Sequence, residues 1–189
     1  MNTRRENSVS EEDLVLRIRK QDRTAMKMLY DRYAGYLTAV CSRYIPEDSA
    51  LKDILQECFI RIFQSMGRFE YRGEGSLKAW MTKIVVNGAL KTLERRRYVP
   101  LPENISEVED PGDESAFPSI PMPVLQQMIR ELPDGYRTVF NLYVFENMSH
   151  KDIARLTGIK ENSSASQLHH AKALLRKRIL QYIKQKDYE

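Results

Sequence analysis

The sequence predicts an all-α fold built as two small helical domains joined by a flexible acidic linker. Three observations carry that expectation. Apolar residues recur at steps of three and four through one stretch after another, the period of a helix with one buried face. The breaks between those stretches fall on proline or glycine, or on residues that cap helices. Charge also divides by position. Residues 1–99 hold 19 Lys and Arg against 13 acids, residues 100–123 hold six acids and no Lys or Arg, and residues 124–189 hold 11 against 7. Two basic modules flanking an acidic connector suit two contacts with one polyanion, although two unrelated basic domains give the same count.

Taken in order, Ser10 and Asp13 can cap a first helix over Glu11–Lys20, with Leu14, Leu16 and Ile18 as its apolar residues. A long helix is expected from about Arg23 to Ile45, striped by Met26, Leu29, Tyr33, Tyr36 or Leu37, and Val40, with Tyr33 and Tyr36 read as core, and ended by Pro46. Asp48 opens a third helix to about Gln64, burying Leu51, Ile54 or Leu55, Cys58, Phe59 and Ile62. Its other face aligns Asp53, Gln56, Glu57, Ile60 and Arg61, either a solvated face or a docking surface for a partner helix.

Met66–Ser76, with three glycines, reads as a loop. Phe69 and Tyr71 alternate with Arg68 and Arg72. That pattern can stack on and neutralise an unpaired nucleic-acid strand, or Phe69 can simply plug the loop into the core. Ser76 caps a fourth helix to about Arg97. Trp80 lies on its buried side; Lys83, Asn87, Lys91 and the arginines at 95–97 lie on the other, as a phosphate track or a merely soluble face.

Six of the eight prolines fall in 99–123, which marks an extended linker. The second domain opens with a helix over Val124–Leu132, stops at Leu132-Pro133-Asp134-Gly135 and restarts at Tyr136. From Ser149 the chain reads as a helix-turn-helix. Ser149 and Asp152 form the start, Ala154 allows close approach, and Gly158 makes the turn. The longer helix that follows carries Leu168, Ala171, Leu175 and Ile179 on one side, with Ser163, Ser166, Gln167, His170 and Lys172 between them. An ordinary antiparallel helix pair with a basic face is the simpler alternative.

Composition narrows the function. No apolar run approaches the ~20 residues of a membrane span, so no stable membrane insertion is expected. The polar start resembles no signal peptide, which points to the cytoplasm. Cys41 and Cys58 sit in apolar helical patterns, and His150, His169 and His170 lack metal-ligand spacing. No phosphate loop, serine elbow or HExxH motif occurs, so neither an enzyme nor a cofactor or metal site is expected.

These residues together resemble the extracytoplasmic-function (ECF) group of bacterial sigma factors, the small members of the sigma-70 family, over about Leu14 to Ile183. The resemblance rests on three motifs in order. The first is Asp53-Ile-Leu-Gln56-Glu57-Cys-Phe59. The second is Phe69-x-x-x-x-Glu74-x-Ser76-Leu77-x-x-Trp80, followed by Ile84 and Asn87. The third is Leu132-Pro133…Arg137-Thr-Val-Phe140…Ser149-x-x-Asp152-Ile153-Ala154…Gly158-Ile159…Leu168-His169-x-Ala171. The resemblance implies a region 2-like domain at 1–98, a linker at 99–122 and a region 4-like domain at 123–189. It implies binding to core RNA polymerase through Asp53, Gln56 and Glu57 on the β′ coiled coil, with the β flap as a further contact, and a role in promoter recognition and minus-10 melting.

By the same resemblance, Arg68, Phe69, Tyr71, Arg72, Lys83, Asn87 and Lys91 take the minus-10 strand. Lys160, Ser163, Ser166, Gln167, His170, Lys172 and Arg176 take the minus-35 element, and an anti-sigma factor is an expected partner. The alternative is a helix-turn-helix regulator of duplex DNA without sigma activity. Two departures stand out. The family often has Arg where Val86 stands and Asp where Lys91 stands. Its recognition helix begins Gly-Thr-Val then Lys-Ser-Arg, whereas this chain has Asn162-Ser163-Ser164-Ala165-Ser166-Gln167, losing an apolar anchor and two cations. Fewer phosphate contacts imply a flatter salt dependence.

Overall fold

The structure, a computed structural model, describes residues 9–95 and 120–186. These form eight α-helices and one 3-10 turn, with no strand among the described residues. They separate into two compact units. The first runs through Ala89 apart from Ser42–Glu47; the second comprises Ser42–Glu47 and the chain from Leu90 on. The linker expected at 99–122 lies outside the described residues except for its last three positions.

The first unit contains α1 (Glu11–Arg19), α2 (Arg23–Ser42), α3 (Asp48–Ser65) and most of α4 (Ser76–Arg95). Ser10 caps α1, its Oγ accepting from Asp13 N at 3.1 Å, and Glu11, Glu12 and Asp13 place negative charge at the positive end of the helix. Nine residues are too few to hold a helix in water. Burial of Leu14, Val15 and Ile18 supplies what propensity does not.

The α1–α2 turn is made by Gln21, at φ 62°, and by Asp22. The Asp22 carboxylate accepts from Thr24 N (2.8 Å) and Ala25 N (3.2 Å) and pairs with Arg17 (2.8 Å). Helix α2 stops at Ser42, short of the Ile45 expected from its stripe. Pro46 biases the residue before it away from helical geometry, and Tyr44 and Ile45 are both buried in the turn instead. Leu29, Leu37, Ile62, Leu77, Met81 and Val85 are fully buried. Val86, where the family often has Arg, is buried as well.

The second unit contains α5 (Met122–Arg130), α6 (Asp134–Val144), α7 (His150–Thr157) and α8 (Glu161–Lys186). Its core joins Met128, Ile129, Leu132, Tyr136, Ala171 and Leu175. The Leu-Pro…Arg pattern gains a physical meaning here. Buried Arg137 donates through Nη1 to the carbonyls of Arg130 (3.0 Å) and Leu132 (2.6 Å), and through Nη2 to Asp134 (2.5 Å). It thereby satisfies acceptors that α5 leaves open at its C-terminal end. Arg178 of α8 adds bonds to Met128 O (2.7 Å) and Glu131 O (3.2 Å).

Candidate nucleic-acid interface

Three surfaces carry the residues singled out above. On α3, Leu51, Ile54, Leu55, Cys58, Phe59 and Ile62 are buried, which turns Asp53, Gln56, Glu57, Ile60 and Arg61 to solvent. Glu57 is 72% exposed and reaches Arg61 at 3.5 Å. Such an exposed pair contributes at most about 1 kcal/mol, so either partner can be taken by another molecule at little cost. Ile60, 48% exposed, places an apolar group among those polar ones. An apolar centre with a charged surround is how protein interfaces are composed.

The second surface is the segment between α3 and α4. A 3-10 turn, Met66–Arg68, leads into extended chain, and Gly73 (φ 103°) and Gly75 (φ 84°) turn it into α4. Those dihedrals strain any residue with a Cβ. Ser76 knits the turn, donating through Oγ to Gly73 O (2.6 Å) and accepting from Arg72 N (3.2 Å).

Phe69 does not present its ring for stacking on DNA. It is 6% exposed, with its centroid 4.7 Å from that of Trp80, which covers it from α4. Tyr71, two residues on, is the half-exposed aromatic of the loop. Burial and the nearby carboxylates of Glu11, Glu12 and Glu74 raise its hydroxyl pKa above the usual phenol value. Arg68 is exposed, whereas Arg72 is exposed but pairs with Glu70 at 3.0 Å. On α4, Lys83, Asn87 and Lys91 all face solvent along one side, four residues apart. Lys78 sits over the Tyr36 ring at 4.1 Å.

The third surface is the helix-turn-helix of α7 and α8. Ser149 Oγ accepts from Asp152 N (3.2 Å) and donates to its carboxylate (2.7 Å), and Gly158 closes α7 at φ 71°. Along α8, Ser164, Leu168, Ala171 and Leu175 are buried. Lys160, Ser166 and Lys172 are exposed, while Ser163, Gln167 and Arg176 are half-buried. His170 is half-buried and stacked on Tyr136, with centroids 5.6 Å apart. Asn162, Ala165 and His169, which are not among the expected minus-35 contacts, are exposed beside Ser166.

Ser164, in place of the family's apolar anchor, is fully buried. Its hydroxyl lies 3.0 Å from His150 Nδ1, and that imidazole stacks on Tyr143 at 4.8 Å. A polar bridge between α7 and α8 thus stands where a methyl-bearing side chain would pack.

Among the described residues no group of His, Cys, Asp and Glu could hold a metal ion, and no helix is long and apolar enough to cross a membrane. Cys41 and Cys58 are both buried, and burial pushes their thiols up to about 12 and about 11.

Comparison with known proteins places two family descriptions along the chain in the order of these surfaces. The sigma-70 region 2 description matches residues 29–98 and the sigma-70 region 4 description matches residues 124–175, together well over half of the chain. The chain is 26% identical over 182 residues to the RNA polymerase sigma-H factor of Pseudomonas aeruginosa, covering 88% of this chain and 92% of that one. It is 25% identical over 185 residues to the ECF RNA polymerase sigma-E factor of Haemophilus influenzae, covering 90% and 96%. The ECF RNA polymerase sigma-E factor of Escherichia coli K12 is likewise 25% identical over 177 residues, covering 87% and 91%. Among solved structures, that of CnrH in complex with the cytosolic domain of CnrY aligns with 88% of this chain and 94% of its own, at 18% identity and a TM-score of 0.44.

Proposed function

Because the chain belongs to the sigma-70 family, as an ECF-type RNA polymerase sigma factor, we propose the following division of labour among its surfaces. The solvent-facing stripe Asp53, Gln56 and Glu57 docks on the coiled coil of the polymerase β′ subunit, with Ile60 as its apolar centre. Tyr71 and Arg68 engage the separated minus-10 strand, and Lys83, Asn87 and Lys91 track its phosphates along α4. Arg72 joins once it releases Glu70, and Phe69 serves as the buried anchor of that loop. Base–aromatic stacking is worth about 1–3 kcal/mol, enough to offset much of the cost of unstacking one base.

The helix-turn-helix reads the minus-35 element in the major groove through Ser163, Ser166, Gln167 and His170, with Lys160, Lys172 and Arg176 on phosphates. Residues 1–98, 99–122 and 123–189 are the region 2 domain, the linker and the region 4 domain, and the second domain also meets the β flap. The protein works in the cytoplasm without catalysing a reaction itself, and an anti-sigma factor that wedges between or clamps the two domains holds it inactive.

The observation that carries this reading is α3. A polar stripe around one exposed isoleucine sits on a unit separate from the helix-turn-helix. A regulator that only binds duplex DNA, the rival reading, has no use for it. The test pairs two variants in polymerase-binding and run-off assays. Glu57→Ala weakens core binding and leaves promoter choice intact, and Gln167→Ala does the reverse. Equal effects of both variants in both assays would refute the division. Absence of core binding and of initiation on every promoter tried would refute the sigma mechanism.

A further inference from the structure

Helix α1 plays no part in the interfaces above, yet two of its side chains hold the 66–76 loop at both ends. At the loop's start, Arg19 donates from Nε to Met66 O at 3.3 Å and from Nη2 to Phe69 O. At its end, half-buried Glu11 accepts the Gly75 N–H through Oε2 at 3.0 Å. The other oxygen, Oε1, accepts the Tyr33 hydroxyl at 2.6 Å, so α2 fixes the rotamer of the carboxylate that grips the loop. Arg32 of α2 in turn donates to Val9 O at 2.7 Å, one residue ahead of the α1 cap.

Between the two clamps lie Arg68, Tyr71 and Arg72, the groups assigned to the minus-10 strand. The clamps bond only to backbone of the loop and to none of those side chains. Gly73 and Gly75 make the loop's exit the part with the most conformational freedom to lose on ordering. The Glu11 bond falls on that part.

We propose that α1 is a brace for promoter melting, with Glu11, oriented by Tyr33, and Arg19 acting as positioning residues that pre-form the strand-binding loop. The proposal rests on the reading of 66–76 as the minus-10 contact. A pre-formed loop binds more tightly because the ordering cost is met before the strand arrives. The brace touches neither the α3 stripe nor the helix-turn-helix, so its loss separates melting from docking.

The experiment uses holoenzyme reconstituted from the full chain. Binding of a single-stranded minus-10 oligonucleotide and opening of a duplex promoter, followed by 2-aminopurine fluorescence, are measured beside core affinity. Glu11→Ala lowers strand binding and the opening rate about tenfold, the scale of one hydrogen bond to a charged group. Core affinity stays within about twofold, since the docking stripe is untouched. Glu11→Gln restores most of the loss. Its amide oxygen still accepts from Gly75 N–H, and its NH2 donates to Tyr33, whose hydroxyl reverses role.

A wild-type opening rate in Glu11→Ala overturns the brace, and so does an equal loss of core affinity, which would mean general misfolding. Glu11→Gln failing as badly as Glu11→Ala also overturns it, because charge and not the tether would then matter. Tyr71→Ala separates this failure from that of the underlying reading. If it binds strand normally, the loop is not the contact and the brace falls with it. If it binds weakly while Glu11→Ala binds normally, the contact stands and only the brace is refuted.

Discussion

Phe69 is the residue on which the sequence allowed two opposite roles, and one substitution decides between them. Phe→Ala truncations in cores cost about 3–5 kcal/mol. At 6% exposure and 4.7 Å from Trp80, Phe69 falls in that range, and about 0.5–1.5 kcal/mol of the loss belongs to the aromatic pair. Phe69→Leu keeps most of the volume and costs about 1–2 kcal/mol, the pair plus a modest misfit. Small domains have about 5–15 kcal/mol to lose, so the alanine variant still folds under native conditions.

Trp80 is the only tryptophan, so urea unfolding followed by its fluorescence reports on the first unit alone. With a slope near 2 kcal/mol per molar urea, Phe69→Ala moves the midpoint down by about 2 M and Phe69→Leu by less than about 1 M. The native emission shifts too, because the ring beside the indole is gone. An unchanged midpoint together with lost minus-10 strand binding would return Phe69 to the DNA and refute the buried anchor.

Three further outcomes follow from the packing. Gly88→Ala places a Cβ 2.7 Å from Cys58 Sγ, so calorimetry finds a loss of about 1–3 kcal/mol despite the better helix former; adding Cys58→Ala recovers most of it, and two independent losses would deny the clash. A double-mutant cycle of His150→Ala and Ser164→Ala in urea unfolding gives about 0.5–1.5 kcal/mol of coupling, with zero coupling showing that the 3.0 Å approach contributes nothing. Buried Cys41 and Cys58 resist thiol reagents at pH 8 until the first unit unfolds. Because their folded pKa values are raised to about 12 and about 11, the contribution of these two thiols to stability is constant well below pH 9 and falls between about pH 9 and 12, as the unfolded thiols ionise first; a midpoint that rises over that window contradicts their burial.

The helical elements were legible because each is written locally. Ser10 and Ser149 are serine caps with an acid three residues on, and both accept the backbone bond that spacing implies. Gly158 takes the left-handed turn its position requires. Helix α5 begins at Met122, two residues earlier than its apolar face suggests, since Pro123 is tolerated in a first turn. The candidate site was less legible. Periodicity tells which face of α3 points outward, but not that the loop after it buries Phe69 and leaves Tyr71 accessible. That depends on where Trp80 arrives from another helix. Ser164 is a sharper case. A serine in a run of polar residues gives no sign of burial, because the imidazole that satisfies it is fourteen positions away. His169 and His170 differ for the same reason: the Tyr136 ring that half-covers one of them lies on α6.

The grip of Glu11 on Gly75 also makes the chain's first helix a point of control over what kind of molecule it is. A protein shortened past Glu11, by design or by proteolysis, keeps the α3 stripe and the helix-turn-helix but loses the tether. On the proposed division of labour it would occupy polymerase and rest on promoters while opening them about tenfold more slowly. Such a fragment acts as a competitor of its own parent. The difference between a fast initiator and a slow rival to it would then lie within a single turn of helix.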